Sequence, residues 1–112
     1  MTLPYSESSN YHAHIYFDQD SLSVVEELVQ KVEKLFDVQI GRVHQKLVGP
    51  HPKWSCQFAF NSNQADFVKW LDQNREGLSV LVHGCSTNDL LDHTKHLNWL
   101  GEPIELNLSI FH

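Results

Sequence analysis

Apolar residues along this chain recur with a period of two in some segments and with helical spacing in others, and the order of these segments restricts the possible folds. Strand-like segments occupy residues 11–17, 38–47, 54–60 and 78–83, and amphipathic helical segments occupy residues 25–36 and about 63–76. Their order, β-α-β-β-α-β, is that of the ferredoxin-like unit, in which two helices cover one face of an antiparallel sheet. The sequence therefore predicts an α+β domain whose second sheet face is free for a ligand or a partner.

Two further elements are expected after this unit. A short helix is predicted at about residues 88–99, because several capping residues precede it and Gly101 and Pro103 follow it. Residues 104–111 then alternate between apolar and polar side chains, which predicts a half-buried final strand. The expected architecture is thus a ferredoxin-like antiparallel sheet with an added short helix and a C-terminal strand.

Length and charge exclude several classes of protein. A chain of 112 residues fits one domain, expected to cover residues 1–112, with residues 1–10 as a loose N-terminal arm. The net charge of −6 and the absence of a basic run argue against binding to nucleic acid or to an anionic membrane. Because the sequence shows no signal peptide and no apolar stretch of about 20 residues, we expect a cytoplasmic protein. Cys56 and Cys85 form no C-x-x-C pair and are expected to be small apolar residues.

Eight dispersed histidines are the main indication of function. His12 and His14 lie two apart in the first strand, so both side chains point to the face opposite Ala13. His83 ends the fourth strand, which neighbours the first in a ferredoxin-like sheet. Because side chains alternate along this strand, His83 is expected on the same face as His14. Convergence of three imidazoles from adjacent strands is hard to explain by core packing, and it indicates a shared site.

Further histidines stand where local structure would hold them in place. His51 lies between two prolines, which stiffen the turn that presents its ring, and His44 precedes this turn on the second strand. Asp89 precedes His93 by four residues, a helical spacing at which a carboxylate can orient an imidazole. His96 follows Asp92 at the same spacing, and we expect this second pair to be solvated.

The pattern of histidines does not by itself identify the metal or the reaction of such a site. A three-histidine or two-histidine-one-carboxylate site with open positions suits Fe(II) and O₂ chemistry, and a three-histidine site also suits Zn²⁺. The chain has no Walker motif, no G-x-G-x-x-G and no G-x-S-x-G, so nucleotide binding and serine-hydrolase chemistry lack support.

Several segments together resemble the DOPA 4,5-dioxygenase family, and the resemblance extends from about residue 11 to residue 111. The segments are residues 11–17 (Tyr-His-Ala-His-Ile-Tyr-Phe), 48–52 (Val-Gly-Pro-His-Pro), 78–83 (Leu-Ser-Val-Leu-Val-His), 92–94 (Asp-His-Thr) and 99–101 (Trp-Leu-Gly). The resemblance implies a ferredoxin-like fold and a non-haem Fe(II) extradiol dioxygenase that opens the ring of a catechol such as L-DOPA with O₂. Zn or Ni could replace the iron in a crystal.

The family's histidines map here to His14, His44, His51, His83 and His93. Of these, we predict His14, His51 and His83 as metal ligands, from the shared face of the first and last and from the rigid turn that holds His51. His93 and His44 are the predicted proton-transferring residues. After His83 the chain reads Gly-Cys-Ser-Thr-Asn at 84–88, where many members carry Pro-Asn-Thr-Gly, so this loop leaves the substrate open.

Two other functions fit the same residues. A ferredoxin-like dimer could bind a small molecule or a metal without catalysis, and a zinc-dependent hydrolase would act without O₂. A homodimer is expected in each case, because a small domain with an uncovered sheet face tends to bury that face against a copy of itself.

Overall fold

The computed structural model describes residues 3–4 and 9–111, so most of the predicted N-terminal arm, and also His112, lie outside the described residues. The α-helices and strands are β1 Asn10–Phe17, α1 Leu22–Leu35, β2 Gln39–His44, β3 Trp54–Asn61, α2 Ala65–Asn74, β4 Val80–Gly84, α3 Asp89–Asp92 and β5 Leu97–Leu100. Short 3₁₀ helices cover Gln19–Ser21, Ser62–Gln64 and Leu108–Phe111. Among these residues no helix has both the length and the apolar content needed to cross a bilayer.

The strands form one sheet in the order β2-β3-β1-β4-β5, and every neighbouring pair is antiparallel. The first four strands have the ferredoxin-like order, with β1 between β3 and β4, which confirms the predicted fold class. The register places His12 directly opposite His83 across the β1–β4 pair. His14 lies opposite Leu81, two positions further along, so His12, His14 and His83 share one face of the sheet, as predicted.

The other face carries the hydrophobic core. Ala13 and Ile15 of β1 are fully buried there, together with the inward side chains of β3 and β4. Both long helices pack their apolar stripes against this face: Val25, Leu28 and Val32 from α1, and Phe67, Val68 and Leu71 from α2. The amphipathic patterns of the sequence therefore place both long helices on one side and leave the histidine-bearing side without either of them.

Both long helices begin through a capped 3₁₀ turn. Asp18 caps the first, and its carboxylate accepts from the amides of Asp20 and Ser21 at 3.0 and 3.2 Å. The sequence predicted that the second helix begins at about residue 63, but the cap is Asn61, which accepts from the amide of Asn63 at 2.9 Å. The cap lies upstream of the prediction because the 3₁₀ turn adds three residues before the α-helix.

Strand β2 is shorter than the predicted 38–47 and has a shift of register between Ile40 and Val43. Gly41 lies within this irregularity. A side chain at Gly41 would meet the carbonyl oxygen of Gln57 at 3.2 Å, so the two strands approach closely there. The shift brings His44 opposite Ser55 at the end of the strand pair.

The C-terminal third of the chain differs most from the sequence prediction. The helix expected at 88–99 is reduced to α3, because Leu97–Leu100 instead forms β5 along the open edge of β4. Gly101 then turns the chain away with a φ of +79°. Residues 104–107 form no strand and 108–111 form a 3₁₀ helix, so the predicted final strand is wrong. No strand forms there because β5 already pairs with the edge of β4 that a further strand would need. Side-chain burial still alternates along residues 104–109.

Gly77 lies in the turn before β4, and Gly101 lies in the turn after β5. Alanine substitutions at the two positions form a matched pair. Both have φ near +80°, so alanine at either position is expected to cost about 1 kcal/mol in backbone strain. At Gly101 the new Cβ would also lie 2.5 Å from Nη1 of Arg75, whereas nothing lies within 4 Å at Gly77. Urea unfolding should therefore show a larger loss of stability for Gly101→Ala than for Gly77→Ala. Equal losses would contradict the contact with Arg75.

Candidate functional site

Five histidines meet on the sheet face that the long helices leave open. His12 and His14 come from β1, His83 from β4, His51 from the turn before β3, and His93 from the residue that ends α3. We call this group the histidine cluster. Ring centroids lie 4.2 Å apart for His14 and His51, 4.5 Å for His83 and His93, and 5.2 Å for His12 and His83. Distant parts of the chain therefore converge on one point.

The spacing of two of these rings matches that of two ligands on one metal ion. Nε2 of His14 lies 3.1 Å from Nε2 of His83. With metal–nitrogen bonds of about 2.1 Å, neighbouring ligand atoms of an octahedral or tetrahedral ion stand about 3.0–3.4 Å apart. His93 contributes a third ligand atom, and the three atoms all lie within 4.8 Å of one another. These residues therefore fit a metal ion.

Backbone carbonyls fix the tautomers of two of these three histidines. Nδ1 of His83 lies 3.0 Å from the carbonyl oxygen of Gly84, and Nδ1 of His93 lies 2.8 Å from that of Asp89. A carbonyl only accepts, so Nδ1–H donates in both cases and Nε2 keeps its lone pair. This arrangement is typical of metal-binding histidines. The predicted pairing of Asp89 with His93 thus occurs through the main chain of Asp89 and not through its carboxylate.

Burial keeps three rings of the histidine cluster neutral, those of His14, His51 and His83. Desolvation lowers the pKa of His14 well below its usual value, and lowers the pKa values of His51 and His83 to about 4. Positive charge on the neighbouring rings adds to the effect, so protonation of one opposes protonation of the next. At neutral pH these imidazoles therefore offer lone pairs, as metal ligands must.

Tyr16 holds His51 in place. Its hydroxyl lies 2.6 Å from Nδ1 of His51, and both residues are buried. Burial raises the pKa of Tyr16, so the phenol keeps its proton at neutral pH. Tyr16 shares a face of β1 with His12 and His14, but nothing in the sequence connects it with His51.

A buried carboxylate organises the loop beside the cluster. Asp92 is 2% exposed, and it accepts from the amide and the hydroxyl of Ser86 at 2.8 and 2.6 Å and from Nδ1 of His96 at 3.0 Å. Burial raises the pKa of Asp92, but these hydrogen bonds outweigh it and leave the pKa below the usual value. The Asp92–His96 pair, expected to be solvated, is therefore a structural element of the loop.

The cluster opens into a cavity of about 350 Å³, lined among others by Gln57, Ser86 and Asp89. This is within the size range of small-molecule sites, which begins at about 300 Å³. The ring of Phe111 stacks on His93, with centroids 5.0 Å apart, and adds an aromatic wall from the C-terminal segment. A planar aromatic ligand would thus find both polar and apolar contacts here.

The ligand set predicted from the sequence shares two of its three members with the group of converging ligand atoms. His14 and His83 lie in the group with converging ligand atoms, but the third member is His93, which the sequence assigned to proton transfer. His51 adjoins His14 and contacts Tyr16. His44 lies on β2, on the far side of β3 from β1, and its effect on the pKa of His51 is smaller than that of burial.

Neither cysteine is activated as a nucleophile, and neither is in a disulfide. Burial raises the pKa of Cys56, in the hydrophobic core, to about 12. Burial together with the carboxylates of Asp92 and Asp89 raises the pKa of Cys85 to about 11. Both thiols are therefore protonated at neutral pH, although Cys85 lies beside the histidine cluster.

Comparison with known proteins connects this geometry with a family. A model of the Dopa 4,5-dioxygenase family matches residues 11–110, which include the whole histidine cluster. The chain belongs to this family. The resemblance read from the sequence is thereby confirmed.

Individual relatives agree with this assignment. The chain is 33% identical to a DOPA 4,5-dioxygenase of Amanita muscaria, over 93% of this chain and 50% of the relative. It is 31% identical to an uncharacterised 21.2 kDa protein of Botryotinia fuckeliana, over 89% of this chain and 62% of the relative. The chain therefore spans about half of the first relative and 62% of the second.

A solved structure has nearly the same extent. The chain superposes on the crystal structure of a candidate dioxygenase from Nostoc punctiforme with a TM-score of 0.89 and 40% identity. The match covers 96% of this chain and 95% of the other. The ferredoxin-like fold with its added fifth strand is thus shared over the full length of that protein.

Proposed function

We propose that the protein is a non-haem Fe(II) extradiol dioxygenase, which opens the ring of a catechol such as L-DOPA with O₂. One observation carries the proposal: His14, His83 and His93 present converging ligand atoms in an open cavity, in a chain of the Dopa 4,5-dioxygenase family. Burial keeps His14 and His83 neutral, as ligands of a divalent cation must be.

His14, His83 and His93 would hold the iron. Three histidines leave coordination positions open, and Fe(II) bound there would supply the chemistry that brings the catechol oxygens and O₂ together. The protein holds the three imidazole rings in position. The carbonyls of Gly84 and Asp89 orient two of them, and the strand register of β1 and β4 sets the distance between His14 and His83.

His51 is the proposed proton-transferring residue. When Nδ1–H of His51 donates to the oxygen of Tyr16, Nε2 has a lone pair that can take a proton from a catechol hydroxyl. The same hydrogen bond persists after protonation, so the ring does not need to move. The protonated ring can then return the proton to an oxygen of the product, which restores the neutral imidazole. A catalytic role for His44 stays a prediction.

Oxygen uptake tests the proposal directly. Protein prepared without air and loaded with Fe(II) should consume O₂ in a 1:1 ratio with L-DOPA and give a yellow ring-opened product. If iron-loaded protein consumes no O₂ with L-DOPA or with a panel of catechols, the enzyme proposal is wrong, and the non-catalytic binding module is favoured. Turnover under anaerobic conditions would instead favour the hydrolase.

Comparing His51→Ala with His93→Ala shows which of these two histidines is the third metal ligand beside His14 and His83. If His93 is the third ligand, His93→Ala should lower Fe(II) affinity by about 10²-fold or more, whereas His51→Ala should retain iron and lose turnover. Fe(II) affinity is measured by competition with a chelator, and turnover by O₂ uptake. The reverse pattern would restore the set His14, His51 and His83 predicted from the sequence.

Tyr16→Phe should lower kcat about 10-fold and leave iron binding unchanged, because His51 loses the partner that orients it. The alkaline and acid limbs of the pH–rate profile should also shift, a change that a packing defect would not cause. Tyr11→Phe removes a hydroxyl from the same strand on the core face, and is the matched control that should retain activity. An unchanged pH profile in Tyr16→Phe would contradict this role.

The homodimer expected from the sequence stays a prediction. Sedimentation velocity of the purified protein at micromolar concentration checks it.

A further inference from the structure

A second group of metal-ligand atoms lies beside the first. One ligand atom each from His12, His83 and Cys85 lies within 4.8 Å of the others. Strand geometry produces this arrangement: His12 is directly opposite His83, and Cys85 follows His83 by two residues, which returns its side chain to the same face. The amide of Cys85 donates to the carbonyl of Asn10 at 2.9 Å, which extends the β1–β4 pairing to the cysteine.

The donor set differs from that of the three-histidine group. Two imidazoles and one thiolate suit a borderline-soft divalent cation such as Zn²⁺, and also Co²⁺, which takes the same geometry. Asp89 and Asp92 line the same cavity as these three residues, and their negative charge favours a cation there. We propose that His12, His83 and Cys85 form a separate site for Zn²⁺, distinct from the three-histidine centre.

Coordination at this site exchanges a proton for the metal. The S–H bond of Cys85 breaks, a sulfur–metal bond forms, and the proton leaves to solvent, with no change of oxidation state. His12 is partly exposed and Cys85 is of intermediate burial, so the site is open to ions from solution. Water or a small anion completes the fourth position of a tetrahedral ion.

His83 belongs to both groups, and this makes the two sites exclusive. Its Nδ1–H donates to Gly84, so only Nε2 is available to a metal. The same Nε2 lies 3.1 Å from Nε2 of His14. One ion at a time can use this lone pair. Zn²⁺ bound with His12 and Cys85 would therefore withdraw His83 from the three-histidine centre, so Zn²⁺ should compete with iron at a site that includes a thiol.

Cobalt spectroscopy tests the site independently of dioxygenase activity. Metal-free His14→Ala protein, which lacks the three-histidine centre, is titrated with Co²⁺ without air. One equivalent should give the near-ultraviolet sulfur-to-cobalt charge-transfer band. The band should be lost in His14→Ala/Cys85→Ser and kept in His14→Ala/Cys56→Ala, because Cys56 lies in the core on the other face. Circular dichroism verifies that each variant is folded.

Protection from alkylation gives a second measurement on the His14→Ala single variant, in case the double variants do not fold. Co²⁺ or Zn²⁺ should slow the reaction of Cys85 with iodoacetamide at least 10-fold, as followed by mass spectrometry. His12→Ala should reduce the protection, and buried Cys56 is the internal reference. Absence of the charge-transfer band, its persistence after Cys85→Ser, or equal alkylation with and without metal would each overturn the proposal. None of these outcomes bears on O₂ uptake, so the dioxygenase proposal is tested separately.

Discussion

His14→Ala should abolish L-DOPA turnover, lowering kcat/KM by at least about 10³-fold, while the protein stays folded. His14 is 5% exposed, and its Nε2 lies 3.1 Å from that of His83, so its removal takes away one side of the proposed iron site. A loss of three decades corresponds to about 4 kcal/mol of transition-state stabilisation, within the range that a catalytic metal supplies. The imidazole contributes to no part of the core on the helix side, so the fold should persist.

Steady-state O₂ uptake, together with the iron content of each preparation, measures this effect. The matched control is His96→Ala, which removes a histidine of the neighbouring loop whose ring is bonded to Asp92. This control should keep its iron and most of its activity. If His14→Ala retained both iron and turnover, the three-histidine centre would be excluded as the site of catalysis.

The sequence predicts the central part of the site because strand geometry is periodic. Two residues two apart on β1 must share a face, and the ferredoxin-like order brings β4 beside β1. These two facts predict, from the sequence alone, that His14 and His83 lie close together. The same periodicity assigns Ala13 and Ile15 to the core, where both are fully buried.

Periodicity could not distinguish the last two elements. Residues 104–111 alternate as well as any strand in the chain, but a strand also needs a free edge to pair with. Leu97–Leu100 occupies that edge next to β4, a choice that depends on long-range pairing and not on local pattern. The segment 104–107 keeps its apolar side chains half-buried, and is tied to the rest by the amide of Asn107 bonding to the carbonyl of Pro50 at 2.8 Å.

The roles of the loop residues were the least predictable part of the site. His93 and Asp89 do interact, but main-chain geometry at the end of a four-residue helix sends the ring to the carbonyl and turns Nε2 toward His83. Asp92 and Ser86 have no periodic relation, and only the closed loop brings them together. Ligand assignment therefore depends on side-chain direction in irregular segments, which sequence spacing does not determine.

Acid should destabilise the metal-free protein over a defined range of pH. Burial lowers the pKa values of His51 and His83 to about 4, and that of His14 well below its usual value. In the unfolded chain these histidines titrate near the ordinary value of about 6.5, so between pH 6.5 and 4 the unfolded state binds more protons. The free energy of unfolding should be constant above about pH 7 and should fall as the pH drops through this window.

The expected loss is large relative to the stability of a small domain. A pKa lowered from about 6.5 to about 4, as for His51 or His83, corresponds to about 3 kcal/mol for one histidine, a large share of a typical 5–15 kcal/mol. Urea unfolding of metal-free protein at intervals from pH 8 to pH 4 measures the slope. His83→Gln, which removes one of the depressed groups, should show a shallower slope than the unmodified protein. Equal stability at pH 7 and pH 5 would mean that the histidine cluster is hydrated and charged in the folded protein, and that its rings are not held ready as neutral ligands.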